Sequence, residues 1–162
     1  DRGDQVVDHT VLDYLASDPE TERRRDRLME YLADFRMPLS STHGDFHRYN
    51  FVSWEGKLRI VDWDKYRRVS SFLLDAVHFH VIREAIRARR SWVDIAFHGA
   101  IAWPSIRALA WRFQLDPFQL ISAYGIHRVS IEGHQVLSNR QGLPERFGRK
   151  YHRVYRLIEE RL

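Results

Sequence analysis

The 162-residue chain contains no cysteine, which excludes a disulfide scaffold, a thiolate zinc site and a cysteine nucleophile. The absence fits a reducing compartment, and a cytoplasmic location is expected. No run approaches 18 apolar residues, so no transmembrane helix is expected. The opening Asp1-Arg2-Gly3-Asp4 is too polar for a secretory signal peptide. Because the first residue is Asp and not Met, the chain is expected to be processed or part of something longer. Lysine is scarce: Lys57, Lys65 and Lys150 stand against 23 arginines. There is no internal repeat and no low-complexity linker, so one domain over 1–162 is expected.

Hydrophobic residues at 44% and charged residues at 30% are ordinary for a soluble globular protein of this length. The charge is uneven. Residues 1–75 carry 12 Lys/Arg against 15 Asp/Glu, whereas residues 76–162 carry 14 against 7, a surplus of seven positive charges. The arginines of that half are dispersed at helical spacings, as on a solvated helix face, and an anion-binding surface is the alternative.

The periodicity predicts mainly helix with a small β-hairpin, an α+β chain. Helices are expected near 9–16, from Pro19 to about Phe35, and near 72–89, 92–102, 104–114, 117–138 and 144–161. Asp116-Pro117 and Leu143-Pro144 act as start signals and Gly142 as a break. Between them, Phe51–Trp54 and Leu58–Trp63 are β-rich runs separated by Glu55-Gly56-Lys57, a lone hairpin.

Polar residues concentrate at the mouths of that hairpin. Thr42-His43-Gly44-Asp45-Phe46-His47-Arg48-Tyr49-Asn50 precedes it, and Ile60-Val61-Asp62-Trp63-Asp64 ends it. Strands of similar length fold Asp62 back beside Asn50, so Asp45, Asn50 and Asp62 meet at one edge. Such hard oxygens suit Mg²⁺, which takes one or two protein carboxylates and leaves room for phosphate oxygens. A further, unliganded Asp can accept the proton of an attacking hydroxyl.

His43-Gly44-Asp45, Asn50 five residues on, and Val61-Asp62-Trp63 after a hairpin resemble the signature of aminoglycoside phosphotransferase and choline kinase-like enzymes, small-molecule relatives of the protein kinases. Four fixed residues at this spacing recur by chance in about one such chain in a thousand or fewer. The resemblance covers residues 40–80 and implies the C-terminal lobe of a kinase-like fold. It makes Asp45 the catalytic base, Asn50 and Asp62 the Mg²⁺ ligands, and Val52 and Val61 the apolar floor under the base of ATP or GTP. His43 and Gly44 would shape the loop, and Asp75 would buttress it. Residues 76–162 would hold the acceptor hydroxyl. Arg48-Tyr49 stands where the family often has small residues before the Asn, and Ser70-Ser71-Phe72 replaces its usual Gly-Asp-Pro.

The Gly-rich strand pair and phosphate-pairing Lys of a complete kinase-like enzyme are not found ahead of His43. The resemblance therefore implies an N-terminal lobe on the same longer chain, and a fragment inactive by itself. The basic 76–162 half suits a neutral or anionic acceptor better than a polycationic one. No membrane or nucleic-acid partner is expected. Two other classes stay open: a non-catalytic kinase-like binding module and an Arg-rich helical nucleic-acid binder. Asp64 is expected to be exposed, and a zinc site of His47, His78, His80 and Asp62 is disfavoured, since i,i+2 side chains leave a helix on different faces. The five Trp are expected in the core, with an acceptor pocket lined by Trp92, Trp103 and Trp111 as the alternative.

Overall fold

The computed structural model describes residues 19–138 and 145–162. The helix expected near 9–16, and the Gly142 break with its Leu143-Pro144 start, lie outside the described residues. In chain order the elements are α1 (Pro19–Tyr31), β1 (Ser40–Thr42), a 3-10 turn (Arg48–Asn50), β2 (Phe51–Trp54), β3 (Lys57–Ile60), β4 (Arg67–Ser70), α2 (Phe72–Ala88), α3 (Trp92–His98), a second 3-10 turn (Ala100–Ala102), α4 (Pro104–Arg112), α5 (Pro117–Ser138) and α6 (Glu145–Glu159). The architecture is α+β and mostly helical.

Several boundaries move for local reasons. α1 stops at Tyr31 rather than Phe35, because the Ala33 and Phe35 amides bond back only three residues, to Glu30 and Leu32, and the chain tightens into turns. The helix expected over 92–102 is two pieces, since Gly99 adopts φ −148° and ψ −35°, outside the helical range. α2 ends where Arg89 takes a left-handed φ of 52° and caps the Ala85 and Ile86 carbonyls. Pro104 opens α4 at the position where its missing N–H costs nothing.

The hairpin pairs β2 with β3 in the register Phe51↔Ile60 to Trp54↔Lys57, so Lys57 is a strand residue and the loop is only Glu55-Gly56. Both loop residues have positive φ, 52° and 70°, the requirement of the tight turn whose twist matches the strands. The strand ends at Ile60 rather than Trp63. Nor is the hairpin a lone insert. β1 pairs antiparallel with β4, closing residues 43–66 into one excursion whose two ends are tied together. Sequence periodicity misses this pair because β1 has three residues and β4 alternates too little to stand out.

The core lies among α2, α3, α5 and α6, with Leu73, Val77, Phe97, Leu120, Ile121 and Val154 essentially sealed from solvent. α6 shows the division clearly: Tyr151, Val154, Tyr155 and Ile158 face inward at i, i+3, i+4 and i+7. Tryptophan is less internal than expected. Trp92 is buried and Trp103 packs on the core, but Trp54, Trp63 and Trp111 are exposed, Trp111 by 84%. Among the described residues, no helix is long and apolar enough to cross a membrane.

Gly125, in the middle of α5, is a point of close helix approach. A Cβ built there would lie 2.7 Å from Phe97 Cζ and 3.3 Å from Val154 Cγ1. Helix propensity alone favours Ala over Gly by about 1 kcal/mol, whereas overpacking a fixed core costs about 1–3 kcal/mol. Phe97 is 2% exposed and has no room to withdraw. Gly125→Ala is therefore expected to lower the thermal midpoint; an unchanged or higher Tm by circular dichroism would show that Phe97 yields.

Candidate active site

The loop after β1 is held by a single carboxylate. Asp75, in the first turn of α2, accepts the His43 amide at Oδ2 (2.6 Å) and the Gly44 amide at Oδ1 (3.0 Å). Burial raises its pKa, and the two N–H donors oppose that shift without cancelling it. Gly44 sits at φ 81°, and a Cβ there would come within 2.8 Å of Lys65 Cβ and collide with the Lys65 backbone. Only glycine meets both demands.

His43 carries the loop's position on to the end of the hairpin. Its Nδ1 accepts the Asp45 amide (3.3 Å), which assigns the ring proton to Nε2, and Nε2 donates to the Val61 carbonyl (2.8 Å). Asn50, buried, donates from Nδ2 to the Asp45 carbonyl (2.9 Å), and its own carbonyl accepts the Val61 amide (2.9 Å). The structure thus brings Asp45 and Asn50 into contact and sets Asp62 one residue beyond the Val61 bridge. Asp62 is exposed and left-handed at φ 64°, a conformation that costs a non-glycine residue about 1 kcal/mol or more. Val52 and Val61, 39% and 37% exposed, present apolar surface beside the loop. Asp64 is exposed, as expected.

The Asp45 carboxylate itself is surrounded by positive charge. Lys65 Nζ donates to Oδ2, His78 Nε2 lies 3.1 Å from Oδ1, and Arg128 Nη1 lies 3.3 Å from Oδ1 and 3.1 Å from the Gly44 carbonyl. Burial alone would raise the Asp45 pKa, but hydrogen bonds from His78 and Lys65 and the charges of Arg128 and Lys65 overcome it. They hold the carboxyl far below the usual carboxylate range. Behind this pair runs a polar stripe of α5 spaced by four: Tyr124, Arg128 and Glu132. Tyr124 OH lies 3.0 Å from His78 Nδ1. Glu132 accepts Arg128 Nε (3.2 Å), Trp92 Nε1 (2.9 Å) and Lys150 Nζ (2.9 Å).

Lys65, His78, Arg128 and Glu132 are the site residues that sequence reading missed. Signals existed for two of them. His78 lies one turn after Asp75 and so shares its face of α2. Two of the three lysines in an otherwise arginine-rich chain belong to this network. Arg128 is reached only through the packing of α5, which sequence spacing does not disclose. His47 lies 3.8 Å from Asp45 Oδ2, and His78 faces Asp45 rather than Asp62. Among the described residues no group of three or more His, Asp or Glu side chains gathers as a metal cage.

Searches against protein-family models, curated proteins and solved structures find no match for this chain.

Burial depresses the His78 pKa from 6.5 to about 4 despite the hydrogen bond to Asp45. An ionised Asp45 only accepts, so His78 Nε2–H donates to it and Nδ1 takes the Tyr124 hydroxyl. On acidification the unfolded chain takes up the proton first. The stability carried by neutral His78 is complete above pH 6.5 and is lost as pH falls toward 4, on the order of 3 kcal/mol. Urea unfolding at successive pH values is expected to show this fall in the wild type and not in His78→Gln. Parallel pH dependence in the two proteins would refute it.

Proposed function

We propose that this chain is the catalytic and acceptor-binding lobe of a kinase-like small-molecule phosphotransferase. The observation that carries the reading is the tie between the two halves of the motif. The Asp45 carbonyl binds Asn50, and the Asn50 carbonyl and His43 ring both bind Val61, the neighbour of Asp62. Three hydrogen bonds thereby tie Asp45 and Asn50 to each other and to the backbone beside Asp62, rather than proximity in sequence alone.

The donor set fits a hard cation. Asn50 Nδ2 is committed to Asp45, which leaves Oδ1 as the spare acceptor, and no protein group pairs with the exposed Asp62 carboxylate among the described residues. Asn50 and Asp62 would hold Mg²⁺, which supplies charge neutralisation at the phosphate oxygens of ATP or GTP. Val52 and Val61 would lie under the nucleobase, and an N-terminal lobe of a longer chain would complete the clamp.

In the reaction the acceptor hydroxyl oxygen forms a bond to the γ-phosphorus as the β–γ bridging bond breaks. The hydroxyl proton passes to Asp45. A carboxyl held so far below the normal range is a weak base at neutral pH. It suits a loose phosphoryl transition state, in which the protein positions the hydroxyl and stabilises charge more than it pulls the proton away. The hydrogen bonds from His78 and Lys65 and the charge of Arg128 keep Asp45 ionised, with Lys65 donating to its Oδ2. The acceptor region's surplus of positive charge favours a neutral or anionic alcohol.

In the full-length protein, Asp45→Asn is expected to lower kcat by about 10²–10⁴ while nucleotide affinity, measured by titration calorimetry, stays near wild type. Unchanged turnover would remove Asp45 from the chemistry. Lys65→Met is expected to lower kcat and weaken nucleotide binding together. In a panel of acceptors, sugars, amino alcohols and anionic alcohols should be phosphorylated ahead of aminoglycosides; the reverse order would overturn the assignment of acceptor charge.

A further inference from the structure

The outward face of α6 repeats the spacing of its buried face. Arg149, His152, Arg153 and Arg156 stand at i, i+3, i+4 and i+7 and are all exposed. Together with Arg24 of α1 they line an open cleft of about 450 Å³. That volume lies in the range of small-ligand sites, about 300–1,000 Å³. Like charges at helical i,i+3 and i,i+4 spacing repel one another, so the stripe destabilises the helix that carries it.

Among the described residues, acidic side chains hold these cations from outside the cleft and do not line it. Arg24 Nη2 lies 2.5 Å from Glu20 and its Nε 3.6 Å from Glu159. Arg153 Nη2 pairs with Asp94 of α3, which also accepts from the Ser91 hydroxyl at 2.8 Å. Arg156 Nε lies 3.6 Å from Glu160. A guanidinium has five N–H donors in a rigid fork, and each of these contacts uses one edge or less of it. These acids therefore orient Arg24, Arg153 and Arg156, whose remaining donors are left for a ligand without the full cost of ordering three flexible side chains.

We propose that the cleft between α1 and α6 binds compact ligands carrying two or more phosphate groups. Guanidinium forks match phosphate oxygens in geometry and charge. From Arg149 to Arg156 the stripe spans about 10 Å, the reach of a few linked phosphates. Among the described residues no Trp, Tyr or Phe lines the cleft, so these residues offer no platform for the stacked bases of single-stranded nucleic acid. The site stands apart from the Asp45 loop and does not rest on the phosphotransfer reading.

The test is titration calorimetry of the full chain with inorganic tripolyphosphate. Arg149→Glu/Arg156→Glu is expected to weaken binding by about tenfold or more. Arg83→Glu/Arg87→Glu, with the same change in net charge on α2, should bind as wild type. Arg149 and Arg156 are chosen because the Asp94 and Glu159 contacts that tie α6 to its neighbours are made through Arg153 and Arg24, which stay in place. Arg149→Gln/Arg156→Gln, checked for an unchanged Tm, should show a smaller loss in the same direction. Vesicles of phosphatidylcholine with and without phosphatidylinositol bisphosphate identify the source: capture competed by tripolyphosphate assigns a lipid headgroup, and no capture assigns a free ligand. The proposal is overturned if tripolyphosphate does not bind, or if both double charge reversals weaken binding equally. It is also overturned if oligonucleotides bind more tightly than tripolyphosphate with affinity that grows with length.

Discussion

The two hydrogen bonds that Asp75 accepts from His43 and Gly44 decide where the candidate site lies. The loop packs Phe46 against Phe51 and Phe79 and is closed by the short β1–β4 pair, but neither contact fixes the His43 and Gly44 amides. Asp75 fastens it to the start of α2, an element anchored in the core by Leu73, Leu74 and Val77. The start of a helix is also where a carboxylate is best tolerated, because the helix dipole presents its positive end there. Orientation is then passed outward in fixed steps, from the Gly44 turn to the His43 ring, from that ring to Val61, and from Val61 to Asn50. Each step uses a backbone group, so the arrangement tolerates changes in neighbouring side chains better than changes in chain path.

The electrostatics of Asp45 follow from the same placement. Bringing one carboxylate against Lys65, Arg128 and His78 would leave surplus positive charge in a partly buried space, and this is costly unless it is balanced. Glu132 supplies part of the balance. It takes Arg128 on one side and Lys150 on the other, and it satisfies the indole N–H of Trp92, a donor that would otherwise be stranded near the core. His78 stays neutral because burial outweighs the pull of Asp45. The network of three cations, two carboxylates and a neutral His78 keeps one net positive charge, while its one carboxylate facing the loop is held strongly ionised. That combination favours positioning and charge stabilisation over proton abstraction.

The helices, the hairpin turn and the residues of the loop were legible in the sequence because each follows from short-range chemistry. Period, caps, a Glu-Gly turn and the spacing of Asp45 to Asn50 need no knowledge of the fold. Missed features depend on distant segments meeting. β1 and β4 are each too short to signal a strand, and they exist because Ser40 and Ser70 are brought together by the excursion between them. Arg128 reaches Asp45 from 83 residues away, and nothing in its surroundings on α5 distinguishes it from the other arginines of the basic half. Trp111 reads as core by composition, yet its position on α4 turns it to solvent. Gly99 reads as an ordinary helical position until its backbone conformation is seen.

The charge asymmetry between the two halves of the chain also resolves into separate causes. Arg128 and Lys150 are paired with Asp45 and Glu132, and Arg128 is thereby largely withdrawn from the outer surface. What remains on α6 is a stripe whose periodicity matches that of the apolar face opposite it, and the two faces constrain each other. Tyr151, Val154, Tyr155 and Ile158 fix the rotation of the helix about its axis, and that rotation decides which arginines converge with Arg24. Lys150 lies between these faces and points back toward Glu132. The helix that carries the basic cleft therefore also supports the network around Asp45, through its core face and through the Lys150–Glu132 ion pair.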